Sequence, residues 1–208
     1  MTHRLLTEIA ASIEDLDTAA IDRMAQLLRC CARLFVLGSG GGAAHASHAV
    51  NDFRKLCGLE AYCPSDNVAE LTARVNDDGW PTAYSNWLAA SNLGPTDAVL
   101  VVSVGGGDLE RNISPNLCHA VDLAMEREAT VLAIVGRDGG YVGRLADQMV
   151  LIPCERPEWT TPVVEAVQSA VLHALAAHPV LQVRPAKWEG VQLNADVQSA
   201  ATERSTRP

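Results

Sequence analysis

Two apolar segments of this chain each end in a run of glycines that precedes a helix-like pattern, and this repeated arrangement restricts the fold most. The first segment is FVLGSGGG at 35–42, and the second is VLVVSVGGG at 99–107. Strands that are apolar throughout are typical of parallel sheets with both faces covered. Ligands bind such sheets at the carboxyl ends of the strands. We therefore expect both glycine runs at one edge of one sheet.

The order of the remaining segments predicts a doubly wound α/β domain. Predicted strands at 33–37, 97–104, 130–136 and 148–153 lie between predicted helices at 4–15, 19–32, 43–57, 66–76, 80–91, 115–128, 141–146 and 161–177. Such alternation is typical of a parallel sheet with helices on both faces. The first two helices carry apolar stripes, which include Ile9 and Met24 and need a partner surface. Beyond residue 178 the periodicity fades into a partly disordered extension over 179–208.

Length and charge exclude several classes of protein. The 208 residues suit one domain, and 48% hydrophobic content is typical of a globular chain without the long apolar run of a membrane span. The net charge of −9 argues against nucleic-acid binding, which depends on clustered Lys and Arg. The first residues do not resemble a secretory signal, so we expect a cytoplasmic protein with its six cysteines reduced.

The two glycine runs favour an anionic ligand, and a phosphate is the natural guest. Glycine lets backbone N–H groups approach a ligand closely, and the helix that follows adds partial positive charge at its amino end. Ser39, Ser103 and Ser114 supply hydroxyl groups, and Ser114 precedes Pro115 as an N-cap does. The alternative is that the glycines only permit tight turns and close helix packing. Two such loops at equivalent strand ends favour the ligand.

A dinucleotide site is a weaker alternative for the first loop. Gly38, Gly40 and Ala43 satisfy a relaxed dinucleotide fingerprint, and Glu60 follows at about the expected interval of 20 residues. The segment around Glu60 lacks a convincing apolar second strand, and this interpretation leaves the second loop unexplained. We therefore expect no nucleotide cofactor.

The helix after the first loop carries His48 and Asp52 four residues apart, on one face. An imidazole and a carboxylate in this arrangement suit proton transfer or metal binding. The alternative is a histidine within the helix–sheet interface and a solvated aspartate. His45 lies on the same stripe as His48, and we interpret His173 and His178 as core or C-cap residues.

Five motifs in order resemble the SIS (sugar isomerase) domain, and within it the phosphoheptose isomerases. They are GSGGGAAHASHAVNDF, VNDDGW, SVGGG followed by SPN, VGRDGG, and VVEAVQSAVLH. The resemblance implies a single domain over 1–178 with a five-stranded, flavodoxin-like parallel sheet and N-terminal oligomerisation helices. It further implies a phosphosugar ligand and a homotetramer with sites between subunits.

Site residues follow from the resemblance by position. The implied phosphosugar-binding residues are Ser39, Gly40, Gly41, Asp77, Ser103, Gly105, Gly106, Ser114 and Asn116. The family places histidine, glutamate, glutamine and histidine at a catalytic site that can hold zinc in some members. The matching residues here are His48, Asp52, Glu165 and Gln168, as catalytic groups and as metal ligands. Hydroxyl groups are fewer than in the family pattern, because Gly42 replaces a serine.

The resemblance implies an aldose–ketose isomerase that converts sedoheptulose 7-phosphate to D-glycero-heptose 7-phosphate through an enediol. Asp52 or Glu165 is the candidate base and His48 the candidate acid. The glutamine at 168 stands where a proton-exchanging histidine is expected. It favours the alternative of a non-catalytic SIS protein that binds a phosphosugar or the replication initiator. A related enzyme acting on another sugar phosphate is a third hypothesis.

Overall fold

A computed structural model describes residues 1–191 of the chain. Two helices, α1 (Thr2–Glu14) and α2 (Thr18–Cys30), precede the first strand. The five strands are β1 (Arg33–Gly38), β2 (Glu60–Tyr62), β3 (Ala98–Ser103), β4 (Thr130–Gly136) and β5 (Gln148–Ile152). The later helices are α3 (Gly41–Leu56), α4 (Val68–Asp78), α5 (Ala83–Ala90), α6 (Pro115–Glu126), α7 (Gly140–Leu145) and α8 (Thr160–Ala176).

The strands form one parallel sheet in the order β2-β1-β3-β4-β5. This is the flavodoxin-like order, so the predicted doubly wound five-stranded α/β fold is confirmed. β1 and β3 are buried over nearly their whole length, which explains their continuous apolar sequences.

Successive strand residues face two separate cores. Leu34 and Val36 face the core formed with α2, α3 and α8, whereas Phe35 and Leu37 face the core formed with α5 and α6. Both faces of the sheet are therefore covered. The sheet leaves only its edges and strand ends for function.

The edge strand β2 lies where the sequence pattern predicted no strand. Glu60–Tyr62 pairs in parallel with Arg33–Phe35, and only its central Ala61 is buried. A three-residue edge strand with exposed ends gives almost no apolar signal. Glu60 lies at the amino end of this strand, opposite the edge that carries the glycine runs.

Both N-terminal helices find partner surfaces within their own chain. α2 buries Ile21, Met24 and Leu28 against the sheet and α8. In α1 the buried Ser12 donates a hydrogen bond to the Pro153 carbonyl at 2.6 Å, and Leu6 stays exposed. The stripe of α2 thus needs no second subunit, whereas α1 keeps apolar surface available.

The segment after α8 folds back onto the chain. Leu181 is buried, and the amides of Val183 and Arg184 donate to the Leu56 carbonyl at 2.9 and 3.1 Å. The rest of the extension that we predicted to be partly disordered, 192–208, lies outside the described residues.

None of the helices within 1–191 has the length and apolar character that a membrane crossing requires. The six cysteines are free thiols, and burial raises the pKa of Cys57 and Cys118 to about 11.

The amino ends of β1 and β3 are joined by a buried ion pair. The Asp97 carboxylate is 2% exposed and accepts hydrogen bonds from Arg33 Nε at 3.0 Å and Nη2 at 2.6 Å. It also accepts from the Gly94 amide at 2.9 Å. The carboxylate thereby fixes the turn before β3 against β1.

Replacing Asp97 with alanine should lower the free energy of unfolding by about 3 kcal/mol, because it leaves a partly buried guanidinium without its partner. Urea denaturation followed by circular dichroism measures this loss. The matched control is Asp17→Ala, since the Asp17–Arg23 pair is 3.2 Å long but exposed. Its loss should cost less than about 1 kcal/mol. Equal effects of the two substitutions would contradict the importance of the Asp97 pair.

Candidate functional site

The two glycine runs lie side by side at the carboxyl edge of the sheet. Parallel register sets Gly38 of β1 against Val102 and Ser103 of β3 against Val135 of β4. The first glycine loop (38–42) therefore adjoins the second glycine loop (105–107). The expectation that both meet at one edge is confirmed.

The first glycine loop is shaped by close backbone contacts. Gly40 has a φ of 58°, a left-handed conformation that suits glycine, and begins α3. A Cβ on Gly42 would overlap the Val102 carbonyl, so α3 can approach β3 only without a side chain there. The Tyr84 hydroxyl donates to the Gly38 carbonyl at 2.8 Å. Burial raises the pKa of Tyr84 to about 12, so the hydroxyl keeps its proton at neutral pH.

The second glycine loop is held against the start of α7. The Gly106 and Gly107 carbonyls accept from the Val142 and Tyr141 amides at 2.9 and 3.0 Å. Both glycines have positive φ, at 70° and 79°. A Cβ on Gly106 would overlap the Gly139 carbonyl. These contacts hold the second glycine loop against the start of α7 and fix its shape.

A cavity of about 210 Å³ lies between the loops. Its lining residues are Ser39, Gly42, Ser103, Val104, Gly105, Gly107, Ile113, Ser114 and Arg137. Ser103 Oγ accepts from the Gly106 amide at 3.1 Å, so this hydroxyl already supports the loop. Ser114 occupies the predicted N-cap position but makes no side-chain cap hydrogen bond and has a φ of 49°. Its hydroxyl is therefore free to meet a ligand.

Asn116 joins the first glycine loop to α6. It is fully buried, and its Nδ2 donates to Ser39 Oγ at 3.1 Å. Its Oδ1 is buried without a hydrogen-bond partner among residues 1–191. Buried acceptors without partners are rare in folded proteins. Asn116 therefore orients the Ser39 hydroxyl, and its predicted contact with a phosphosugar stays a prediction.

The helices α3 and α8 bring a histidine–carboxylate cluster together. Asp52 Oδ2 lies 3.2 Å from His48 Nε2 and 3.4 Å from His173 Nδ1. The two imidazole rings are 5.2 Å apart between centroids. The cluster therefore combines two nitrogen donors with one carboxylate, and its ligand atoms lie within 4.8 Å of one another. His173 is exposed in the last turn of α8, so it is not a core residue.

Of the other two matched residues, only Glu165 lies near the site. A Cβ on Gly41 would overlap the Glu165 carboxylate, which covers the first turn of α3. Gln168 instead faces the sheet, fully buried, and donates from Nε2 to the Ile134 carbonyl at 3.1 Å. The structure therefore does not bring Gln168 into the four-residue set that the resemblance implied. His173, two turns after Glu165, takes that place.

Asp77 lies in the last turn of α4 rather than in a turn or loop. Its carboxylate is exposed and accepts from Asn76 Nδ2 at 2.8 Å. The turn comes only at Gly79, whose φ is 81°. Asp77 lines neither the cavity between the glycine loops nor the larger one beside it. Its predicted sugar contact stays a prediction.

Residues 108–113, between the second glycine loop and Ser114, form a closed turn of their own. Asp108 and Ile113 exchange two backbone hydrogen bonds of 2.9 and 2.8 Å. Arg111 Nη1 donates to Asp108 Oδ2 at 2.7 Å. The amide and guanidinium of Arg111 lower the pKa of Asp108. The positive charge of Arg111 is thus neutralised by Asp108 within the turn 108–113.

Comparisons with known proteins point to one family. The chain is 34% identical over 185 residues to the lincomycin biosynthesis protein LmbN of Streptomyces lincolnensis, covering 84% of this chain and 67% of that protein. It is 30% identical over 181 residues to the phosphoheptose isomerase of Pelobacter propionicus, covering 83% of this chain and 88% of that protein. The chain belongs to the phosphoheptose isomerase family. No family model matches it.

The fold of this phosphoheptose isomerase family member agrees with a solved relative. The structure of phosphoheptose isomerase GmhA from Neisseria gonorrhoeae matches with a TM-score of 0.70 at 25% identity. The match covers 84% of this chain and 96% of that structure. The SIS-domain resemblance that the sequence segments carried is confirmed.

The contact between the second glycine loop and the start of α7 can be tested by adding one methyl group. Gly106→Ala combines a positive φ with an overlap on the Gly139 carbonyl. We expect the free energy of unfolding to fall by about 3 kcal/mol, from backbone strain and overpacking together. Thermal and urea denaturation measure the change.

Gly58→Ala is the matched control, because Gly58 also has a positive φ, of 68°, but an added Cβ would make only an ordinary contact with Val183 Cγ2 at 3.6 Å. Backbone strain alone should cost about 1 kcal/mol. If Gly106→Ala were no more destabilising than Gly58→Ala, the loop would not be packed against α7 as described.

Proposed function

We propose that this protein is a sugar phosphate isomerase that interconverts sedoheptulose 7-phosphate and D-glycero-heptose 7-phosphate. The observation that carries the proposal is that α3 begins at the glycine-lined cavity and farther along bears His48 and Asp52, two of the three residues of the histidine–carboxylate cluster. One end of the site suits a phosphate, and the other suits proton transfer. The family relatives named phosphoheptose isomerase support the assignment.

The spacing along α3 favours a long sugar. Gly42 lines the cavity between the loops, and His48 and Asp52 follow six and ten residues later. At a rise of about 1.5 Å per residue, these positions lie about 9 and 15 Å along the helix. An extended seven-carbon sugar phosphate can span distances of this order, and a three-carbon one cannot. A further cavity of about 450 Å³ beside His173 gives the far end of the sugar room.

Isomerisation needs a base that moves a proton between C1 and C2, and an acid that moves a proton between the two oxygens. Asp52 is our candidate base, because its carboxylate is held within 3.4 Å of both imidazoles and is only partly exposed. It takes the C1 proton of the ketose, and an enediol forms. His48 or His173 exchanges the hydroxyl protons. Asp52 then returns a proton to C2, and the aldose forms.

Glu165 has a separate role in this proposal. It lies against Gly41 of the first glycine loop, at the amino end of α3. A carboxylate there can accept hydrogen bonds from the middle hydroxyl groups of the sugar. Glu165 thereby orients the chain, while Asp52 stays at the reacting carbons.

The cluster also fits a zinc ion. Two imidazoles and a carboxylate are a donor set that zinc prefers, and three protein ligands leave a position for a substrate oxygen. His48, Asp52 and His173 would hold the ion. Bound there, zinc would supply Lewis-acid polarisation of a sugar oxygen.

A homotetramer with sites between subunits is part of the proposal. Within the described residues α4 buries none of its side chains, although Leu71 and Val75 lie partly against the core. Val68 is 69% exposed, and Leu6 of α1 is 59% exposed. Exposed apolar side chains on two helices favour contact with further copies of the chain.

A phosphosugar sensor without catalysis is the second candidate, and the glycine-lined cavity alone would support it. The histidine–carboxylate cluster favours the enzyme. Once His173 is placed beside Asp52, the buried Gln168 no longer argues for a missing catalytic group. Binding of the sugar phosphate without turnover would favour the sensor.

Asp52→Asn should lower the rate of sedoheptulose 7-phosphate turnover at least about a hundredfold, since the amide cannot accept the C1 proton. Formation of aldose followed by NMR measures the rate, and exchange of the C1 proton with deuterated solvent reports the enediol. An unchanged rate would remove Asp52 from the mechanism. Asp122→Asn, on another helix, is the control and should keep the wild-type rate.

Metal content tests the zinc site without reference to activity. Protein purified without chelators should hold up to one zinc per chain by elemental analysis, and His173→Ala should lose most of it. His119→Ala is the control, because His119 pairs with Asp122 at 3.6 Å on α6, away from the cluster. Equal zinc in both variants would contradict the site.

A further inference from the structure

A larger cavity of about 680 Å³ adjoins the cavity between the glycine loops, and three arginines line it. Arg111 is bound to Asp108, and the guanidinium of Arg144 lies 5.8 Å from the centre of the Tyr141 ring. Arg137 also lines the smaller cavity, where it is the one charged residue among the described lining residues. Within residues 1–191 it makes no side-chain hydrogen bond or ion pair. The positive charge of Arg137 therefore has no carboxylate partner among the described residues.

The backbone directs Arg137 toward the second glycine loop. β4 ends at Gly136, and Arg137 follows with a φ of 55°. This left-handed conformation is unfavourable for an arginine and would suit a glycine or an asparagine better. Unfavourable backbone conformations concentrate at functional sites, where a side chain must point in one direction.

The absence of a side chain at Gly105 makes room for Arg137. A Cβ on Gly105 would lie 3.3 Å from Arg137 Cδ and 3.9 Å from Nη1. The arginine thus crosses the bare backbone of Gly105 at the mouth of the smaller cavity. Arg137 and residues of both glycine loops line the same cavity.

A phosphate in this cavity needs a positive charge that the loops do not supply. The hydroxyl groups of Ser39, Ser103 and Ser114 can donate hydrogen bonds but carry no charge, and Gly42, Gly105 and Gly107 have no donor side chains. Backbone amides and a helix end contribute only partial charge. A guanidinium makes strong, paired hydrogen bonds to phosphate oxygens. Arg137 is the group placed to make them.

We propose that Arg137 binds the phosphate group of the substrate, together with the two glycine loops. The proposal rests on the proposed function for the identity of the sugar, but phosphate binding can be tested without it. Arg137 is a binding residue and takes no part in proton transfer. Its loss should therefore raise KM and leave kcat nearly unchanged.

The sharpest variant is Arg137→Asn, because asparagine tolerates the left-handed backbone and removes the charge. Titration of inorganic phosphate followed by phosphorus NMR should show binding at least about tenfold weaker than in the wild type. KM for sedoheptulose 7-phosphate should rise by a similar factor, with kcat within about twofold. Arg137→Lys should restore part of the affinity, since it keeps the charge but not the paired hydrogen bonds.

Arg144→Gln is the control, because Arg144 lines only the larger cavity, and it should bind phosphate as the wild type does. The melting temperature of Arg137→Asn should equal or exceed that of the wild type, which separates lost binding from lost folding. Unchanged phosphate affinity in Arg137→Asn, or no phosphate binding by the wild type, would overturn the proposal. If phosphate binding weakens but the wild type turns over no heptose phosphate, Arg137 keeps its role and the proposed isomerase function fails.

Discussion

The in-register pairing of parallel strands is the constraint on which the rest of the structure depends. It sets the ends of β1 and β3 at one level, so that Gly38 and Ser103 release their loops side by side. Close approach follows: Gly42 sits against the Val102 carbonyl, and Gly106 against that of Gly139. A slip of one residue would turn every strand side chain to the opposite core. The sheet register therefore fixes the shape of the cavity that faces solvent.

The second constraint is that α3 and α8 run in the same direction. Glu165 covers Gly41 near the start of α3, and His173 reaches Asp52 about two turns farther along α8 and three turns farther along α3. Both helices pack on the same face of the sheet, and their apolar residues belong to one core. The distance between the glycine loops and the histidine–carboxylate cluster is thus a property of rigid helices. A substrate that contacts both the glycine loops and the histidine–carboxylate cluster must therefore be long enough to span the distance between them.

The sequence predicted the parts of the fold that depend on continuous apolar strands and on helical periodicity, and it missed parts that depend on packing. The edge strand at Glu60–Tyr62 escaped because one buried residue in three leaves no pattern. The spacing of VVEAVQSAVLH allowed either Gln168 or His173 to stand beside Asp52. Gln168 lies on the side of α8 that faces the sheet, and His173 does not. The parallel course of α3 and α8 was the missing information, because it places the partner of Asp52 two turns after Glu165.

A chain with a net negative charge can bind an anion, because salt largely screens the distant surface charges. The contacts within the site are short and are screened much less. Two acidic groups beside the second glycine loop are already engaged. Asp108 is bound to Arg111, and Asp138 accepts from the Gly140 amide at 3.2 Å. The local field is therefore set by amides whose direction the backbone fixes, and by the guanidinium of Arg137. Backbone amides, unlike serine hydroxyl groups, need no ordering of a side-chain rotamer when a ligand binds. Glycines can therefore replace hydroxyl-bearing residues in the two loops when a neighbouring arginine supplies a full positive charge.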